Sequence, residues 1–321
     1  MLYFKLPFSS DFFTLKGAPS SDSLEFISFD TKKSLEFTGT LEKVSAKEIL
    51  DSEFFSSELS ESSELKAQTK EQYEVKLNEA IELIKEHELE KLVLSRRKLI
   101  SFDKLSLTKT FLNLTKAYPK AFSYVFAKES ESWIGAFSEL LGEYDVSTGE
   151  FKTMSLAGTL LIQQQWEVKE LEEQAAVTGY VESVLSKYSK KITISKTYSH
   201  PSGPIKHLRT DFSCKVDPEK LDSLIEDLHP TPAVLGMPKE LCKQLLEKLE
   251  PYPREFYAGY SKLKLENKLY FFVTLRCAKL HKNSAHLFVG GGITAKSNIE
   301  KEFAETELKA QAIGKQLEII S

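Results

Sequence analysis

Hydrophobic positions along the chain come first in short clusters. Leu24-Glu25-Phe26-Ile27-Ser28-Phe29 alternates as a half-buried strand does, and Gly17, Pro19 and Gly39 interrupt the runs around it. Residues 51–64, DSEFFSSELSESSE, are mostly Ser and acidic side chains and predict a surface connection. From Thr69 to His87, Val75, Leu77, Ile81 and Ile84 recur at near-helical spacing between charges, which predicts an amphipathic helix. β-Branched and aromatic runs at 91–96, 122–127 and 132–141 predict strands. A helix is expected over about 168–188, with Leu171, Ala175, Val177, Val181, Val184 and Leu185 on one face. Further strands are expected at 191–198, 270–277 and 285–290, and a last helix at about 299–318. The stretch Leu269–Leu275 is almost continuously apolar, as for a strand covered on both faces. Strands come in groups with helices between the groups, so the α+β class is preferred to a doubly wound sheet. No internal repeat is visible.

Composition narrows the function. Over 321 residues, 41% hydrophobic and 11% aromatic side chains can fill a large core, which excludes wholesale disorder and collagen-like or disulfide-scaffold chains. That length allows one or two domains. Lys+Arg number 43 against 47 Asp+Glu, a net charge of −4, with no basic tract. Nucleic acid and anionic membrane surfaces are therefore disfavoured as partners, and a small molecule is expected. Cys214, Cys242 and Cys277 form no Cys-x-x-Cys pair, so neither a disulfide framework nor a thiolate zinc site is indicated. The N-terminal MLYFKLPFSSDFFTLKG lacks a basic leader and a cleavage site, and no apolar run approaches the ~18 to 20 residues of a spanning helix. A soluble, cytoplasmic protein is expected.

Three features carry possible chemistry. The run Val289-Gly290-Gly291-Gly292-Ile293 follows a strand and precedes a helix. Its amides suit either an anion or a tight turn, and it lacks the spacing of a dinucleotide or P-loop motif. Glu170 and Glu173 on one expected helix, and Glu302 and Glu305 on another, are each three residues apart and share a face. They are either solvated surface or, if the faces meet, an oxygen-only site for magnesium or manganese. Lys91 opens one strand and Glu139 closes another; they are surface residues or, if burial shifts their pKa values, a base and an acid.

Taken in order, six segments carry a resemblance: KLVLSR at 91–96, IGAFSELL at 134–141, LAGT at 156–159, KHLRT at 206–210, LHPTPAVLGMP at 228–238 and the block from REFYAGY through TLRCA and GGGI to EKEFAETELK. The chain resembles the chorismate-utilising enzymes, which include isochorismate synthase, salicylate synthase, anthranilate synthase component I and aminodeoxychorismate synthase. His229-Pro230-Thr231-Pro232-Ala233-Val234 is similar to the isochorismate synthase branch, with salicylate synthase or an anthranilate synthase component I type as alternatives and a non-catalytic chorismate-binding module as a further one. Ala157 stands where aminodeoxychorismate synthases carry a nucleophilic lysine, which disfavours that branch.

The resemblance implies a single α+β domain of two packed antiparallel sheets flanked by helices. Residues 1–65 would be a short N-terminal part with a Ser/acidic surface loop, and 66–321 the chorismate-binding catalytic region. It implies that Lys91 is the base activating water at C2 of chorismate and Glu139 the acid protonating the departing C4 hydroxyl. Glu170, Glu173, Glu302 and Glu305 would hold Mg²⁺. Tyr257 and Arg276 would bind the enolpyruvyl carboxylate, helped by Gly291, Gly292 and Lys309, while Gly158, Thr159 and His207 line the pocket. A monomer in menaquinone or siderophore biosynthesis is implied. Three departures from the family pattern concern pocket shape: Ser138 for Pro, Leu160 for Arg and Gln174 for His.

Overall fold

The computed structural model describes residues 1–7, 9–18, 22–62, 68–137, 139–202 and 205–320; of Thr159, Lys169, Ser202 and Ile205 it describes the backbone alone. The departure at Ser138, positions 63–64 of the expected surface connection and the Thr159 side chain thus lie outside the described residues. The first strands are β1 (Leu2–Lys5), β2 (Phe12–Lys16), β3 (Ser23–Ile27), β4 (Ser34–Thr38), β5 (Thr40–Val44), β6 (Lys91–Ser101), β7 (Lys104–Ser106), β8 (Phe122–Lys128), β9 (Glu131–Phe137) and β10 (Leu140–Asp145). They continue as β11 (Glu150–Leu161), β12 (Ile192–Ile194), β13 (Tyr198–Ser202), β14 (Ile205–Lys215), β15 (Gly236–Met237), β16 (Tyr260–Leu265), β17 (Lys268–Val273), β18 (Cys277–Leu280), β19 (Ser284–Ile293) and β20 (Glu318–Ile320). The helices are α1 (Ala46–Asp51), α2 (Lys70–Glu86), α3 (Leu107–Ala117), α4 (Val168–Leu185), α5 (Leu221–Leu228), α6 (Lys239–Leu249) and α7 (Ile299–Gly314).

Among the described residues the first sheet runs β15-β6-β19-β18-β9-β8-β1-β2-β5 and the second β12-β14-β11-β10-β17-β16-β3-β4, with β13 added on β14. All the strand pairs of these sheets are antiparallel. The N-terminal strands extend both sheets, β1, β2 and β5 in one and β3 and β4 in the other. Aromatic side chains fill the space between: Phe122 of β8 stacks on Phe272 of β17 at 4.7 Å, and Phe26 of β3 meets Tyr124 and Phe126 of β8 at 4.6 Å each. Burying each such ring contributes about 1.5–3 kcal/mol, so this layer anchors the sandwich.

Two chain segments pass from sheet to sheet. β9 ends in the first sheet at Phe137, and Glu139 leads into β10 in the second; Thr274, Leu275 and Arg276 return the chain from β17 to β18. The crossings are bonded to the neighbouring strands: the Val273 amide donates to Glu139 O (3.1 Å) and the Ala136 amide to Arg276 O (3.2 Å). The expected strands at 132–141 and 270–277 are therefore each interrupted. The burial of β17 is confined to Phe271–Val273, so coverage of Leu269–Leu275 on both faces is also corrected.

Other expectations shift for identifiable reasons. Thr69 caps α2 in a capping box with Gln72, and the helix buries Tyr73, Leu77, Ala80, Ile81 and Ile84; Val75 points out, 55% exposed. On α4 the stripe is displaced by one residue. Leu171 and Ala175 are exposed, and Glu170 and Gln174 occupy the buried line that Val177, Val181 and Val184 continue. The last helix stops at Gly314, and its expected end forms β20 against β7. Within the Ser/acidic stretch, Phe55 bridges to Ser106 and the buried Ser56 hydroxyl accepts from the Leu105 amide (3.0 Å), so this part is docked rather than solvated. All three cysteines are buried and free. No helix among the described residues is long and apolar enough to cross a membrane.

Candidate active site

Where the aromatic layer ends, a cleft of about 140 Å³ opens. Phe137, Met154, Leu156 and Leu275 give it apolar walls, and Glu139, Arg276, His200 and His207 supply its polar groups. Glu139 and Arg276 come from the two crossings, where leaving one sheet for the other turns side chains inward instead of continuing a strand's alternation. Arg276 adopts φ 44°, a left-handed conformation uncommon for a side chain of its size. Removal from water pushes the Glu139 carboxyl up to about 7 from its ordinary 4.5, although the charges of Lys91 and Arg276 pull the other way.

His207 lies on β14 opposite Thr159 of β11, just past a register shift at Gly158. Gly158 has φ 65°, and a Cβ there would lie 3.1 Å from Glu170 Cβ, so both conformation and space favour glycine. The irregularity leaves Gly158 O to accept from His207 Nδ1 (3.0 Å), which sets the proton on that nitrogen of a neutral ring. Burial lowers the His207 pKa, and the charges of Arg276, His200 and Lys309 add to the effect against the Gly158 bond.

Lys91 opens β6, and its ammonium is paired with Glu173 of α4 at 2.6 Å. The lysine stem crosses Gly292, where a Cβ would sit 2.2 Å from Lys91 Cε. The glycine run is thus neither loop nor tight turn: Gly290, Gly291 and Gly292 are the end of strand β19, opposite Ser95, Leu94 and Val93 of β6. The amides of Val93 and Ser95 point away from β19, to Leu235 O (3.0 Å) and Glu250 Oε1 (2.7 Å). Their rungs are therefore the non-hydrogen-bonded ones, so Gly290 and Gly292 direct their polar groups to the edge that β18 has vacated. Lys309 Nζ donates to Gly290 O there (2.9 Å). Gly291 faces Leu94, and its amide belongs to the ladder; of the two expected anion-binding amides, that of Gly292 alone faces the edge. Tyr257 is buried beneath Gly290, stacked on Phe288, and burial keeps its phenol protonated.

Glu173, Glu302 and Glu305 approach this edge through Lys91, Gly291 and Lys309, Glu170 lies against Gly158, and each of the four has a partner. Glu170 is 8% exposed and caps α4 by accepting from the Glu167 amide (3.2 Å). Glu173 holds Lys91, and Glu305 pairs with Lys309 (2.7 Å). Glu302 accepts from Ser297 Oγ (2.6 Å), and the absence of a side chain at Gly291 lets its other oxygen approach the strand. An all-carboxylate donor set with one buried member suits a hard cation such as Mg²⁺. Among the described residues, however, no three acidic, His or Cys groups are drawn together as a closed cation site. Gln174 is buried behind the pair, donating to Ser155 Oγ (2.9 Å) and Thr210 Oγ1 (3.1 Å), which ties this turn of α4 to the second sheet. Leu160 is half-buried on β11 and brings no charge.

Sequence reasoning missed His200. It lies on β13 directly opposite His207. The Pro201-Ser202-Gly203-Pro204 stretch between the two histidines is a turn signal that would have paired them.

A two-sheet α+β sandwich brings a carboxyl of raised pKa, an arginine and two histidines into one small cleft, a polar lining of a size for a small molecule. The chain belongs to the chorismate binding enzyme family, whose model matches residues 26–318. Curated relatives include isochorismate synthase EntC of Escherichia coli (strain K12), 34% identical over 144 residues, which cover 44% of this chain and 37% of that protein. Isochorismate synthase MenF of Haemophilus influenzae is 26% identical over 254 residues (74% and 58%), and the vibriobactin-specific isochorismate synthase of Vibrio cholerae 29% over 266 (76% and 66%). In each case the chain spans less than two thirds of the relative's length. The fold matches that of MenF, the menaquinone-specific isochorismate synthase from Escherichia coli, with a TM-score of 0.80 at 19% identity over 98% of this chain and 88% of that one. Anthranilate synthase component I from Streptococcus pneumoniae gives 0.73 at 17% identity over 94% and 82%.

Proposed function

We propose that the chain is an isochorismate synthase that converts chorismate to isochorismate. The observation that carries this reading is Glu139: a carboxyl whose pKa burial raises to about 7, in a cleft with Arg276 and under the charge of Lys91. A general acid needs such a raised pKa, and a carboxylate-bearing substrate needs the arginine. Family membership and the relatives' names supply the substrate and the branch.

Lys91 accepts a proton from water as its oxygen bonds to C2, the ring double bonds shift, and Glu139 gives its proton to the C4 hydroxyl as that C–O bond breaks. Water enters and water leaves, so the reaction is an isomerisation. To act as base, Lys91 Nζ must part from Glu173. Glu170, Glu173, Glu302 and Glu305 would hold Mg²⁺, which when bound supplies positive charge for the ring carboxylate. Tyr257, Arg276, Lys309 and the Gly292 amide bind the enolpyruvyl carboxylate, while His207, positioned by Gly158, lines the pocket beside Thr159. The reading includes a cytoplasmic monomer serving menaquinone or siderophore synthesis.

The purified protein with chorismate and Mg²⁺ should yield isochorismate by chromatography. Salicylate plus pyruvate, or anthranilate when ammonia is added, would place it in another branch; binding without turnover would make it a non-catalytic module.

A further inference from the structure

The β13–β14 hairpin brings a second imidazole to the cleft, and the reaction scheme above leaves it without a task. His200 and His207 are directly opposed, so their side chains share one face of the sheet, and both line the cavity. Their circumstances differ. His207 Nδ1 is committed to Gly158 O, whereas the His200 imidazole makes no side-chain hydrogen bond among the described residues. Its ring meets Tyr198 edge-on at 6.4 Å, a contact that orients the imidazole without using its nitrogens.

The hairpin itself is anchored on both sides. Trp166 Nε1 donates to Ser199 Oγ (2.6 Å), and Tyr198 donates to Asp211 Oδ2 (2.8 Å). Arg209, the β14 cation whose charge acts on His200, is neutralised by the same Asp211 at 2.6 Å. It is therefore occupied, and among the described residues that line the cleft His200 keeps an uncommitted hydrogen-bonding group on this wall. Burial lowers its pKa, so the ring meets a ligand as a neutral N–H donor. Arg276 and His200 line the same cavity of about 140 Å³, which one small molecule fills, so a ligand gripped by the arginine also meets the histidine wall.

We propose that His200 is a substrate-binding residue that donates a hydrogen bond to the carboxylate held by Arg276. This rests on the reading of the cleft as a chorismate site. A neutral imidazole adds a directed donor without a second full charge, and a hydrogen bond to a charged group is among the stronger polar contacts.

The test compares His200→Ala, His200→Asn and Ser199→Ala with the unmodified protein, by steady-state kinetics and by direct titration of chorismate with Mg²⁺ present. His200→Ala should raise KM and the dissociation constant about tenfold with kcat within about threefold. His200→Asn, which keeps an N–H donor, should recover part of that loss. Ser199→Ala loosens the Trp166 anchor but retains the imidazole, and should change KM less than His200→Ala does. KM within twofold in His200→Ala, a loss confined to kcat, or an equal loss in Ser199→Ala would overturn the proposal while leaving the chorismate site intact. Failure of the unmodified protein to bind chorismate would overturn both.

Discussion

The same two sheets behave in opposite ways at the middle and at the open end of the sandwich. In the middle, Phe122, Phe272, Phe26 and Tyr124 meet ring to ring and exclude water. At the open end the second sheet shifts register at Gly158, which holds His207 at the cleft, and the strand crossings deliver Glu139 and Arg276 into the space left open. One region gains stability from rings packed against each other; the other lines an open space with Phe137, Met154, Leu156 and Leu275 and sets an acid of raised pKa among them. Chemistry is thus placed where packing has been withdrawn, and the aromatic layer next to it holds the opening in shape.

The largest expected effect breaks the closed region. Phe272→Ala should cost about 3–5 kcal/mol of stability in denaturant unfolding, while the folded fraction retains its kcat. Next, Lys91→Ala or Glu139→Gln should lower kcat by about 10² or more with the fold retained. Normal rates in both would remove their assigned roles. Gly292→Ala sharpens the contrast, because its methyl group would displace the Lys91 stem but meets no rigid neighbour that close. Activity should fall about ten- to a hundredfold with the melting temperature nearly unchanged.

The smallest effect is one of pH. Glu139 has a raised pKa in the folded chain, so folded protein binds more protons than unfolded protein between about 4.5 and 7, and this group's contribution to stability declines as pH rises through that window. Glu139→Gln should therefore melt a few degrees above the unmodified protein at pH 8 and close to it at pH 4, measured by differential scanning calorimetry.

Much of this architecture was legible in the chain. Grouped strands, the short runs at 91–96 and 285–290 that lie inside β6 and β19, and the amphipathic helix α2 followed from spacing. Glutamates at i and i+3 were visible as pairs, and the ordered segments pointed to the family that the comparisons show. What periodicity concealed lies where the site breaks periodic rules. The stretch from Trp133 to Leu141 reads as one strand because both halves are apolar, and a change of sheet leaves no mark on hydrophobicity. On α4, Glu170 and Gln174 are buried in line with Val177, so a rule that buries apolar residues chose Leu171 and Ala175 instead. Three glycines in a row resemble a turn, yet they form a strand because a lysine stem, a tyrosine hydroxyl and a glutamate approach them closely. Gln174, buried against Ser155 and Thr210, likewise shows its purpose through its partners alone.

The central claim, that the crossing between sheets desolvates Glu139 enough to keep it protonated, is tested most directly by titrating that carboxyl. With ¹³C-carboxyl-labelled glutamate, the resonance that disappears in Glu139→Gln should titrate near pH 7 in the unmodified protein. A midpoint near the ordinary glutamate value of 4.5 would contradict the account.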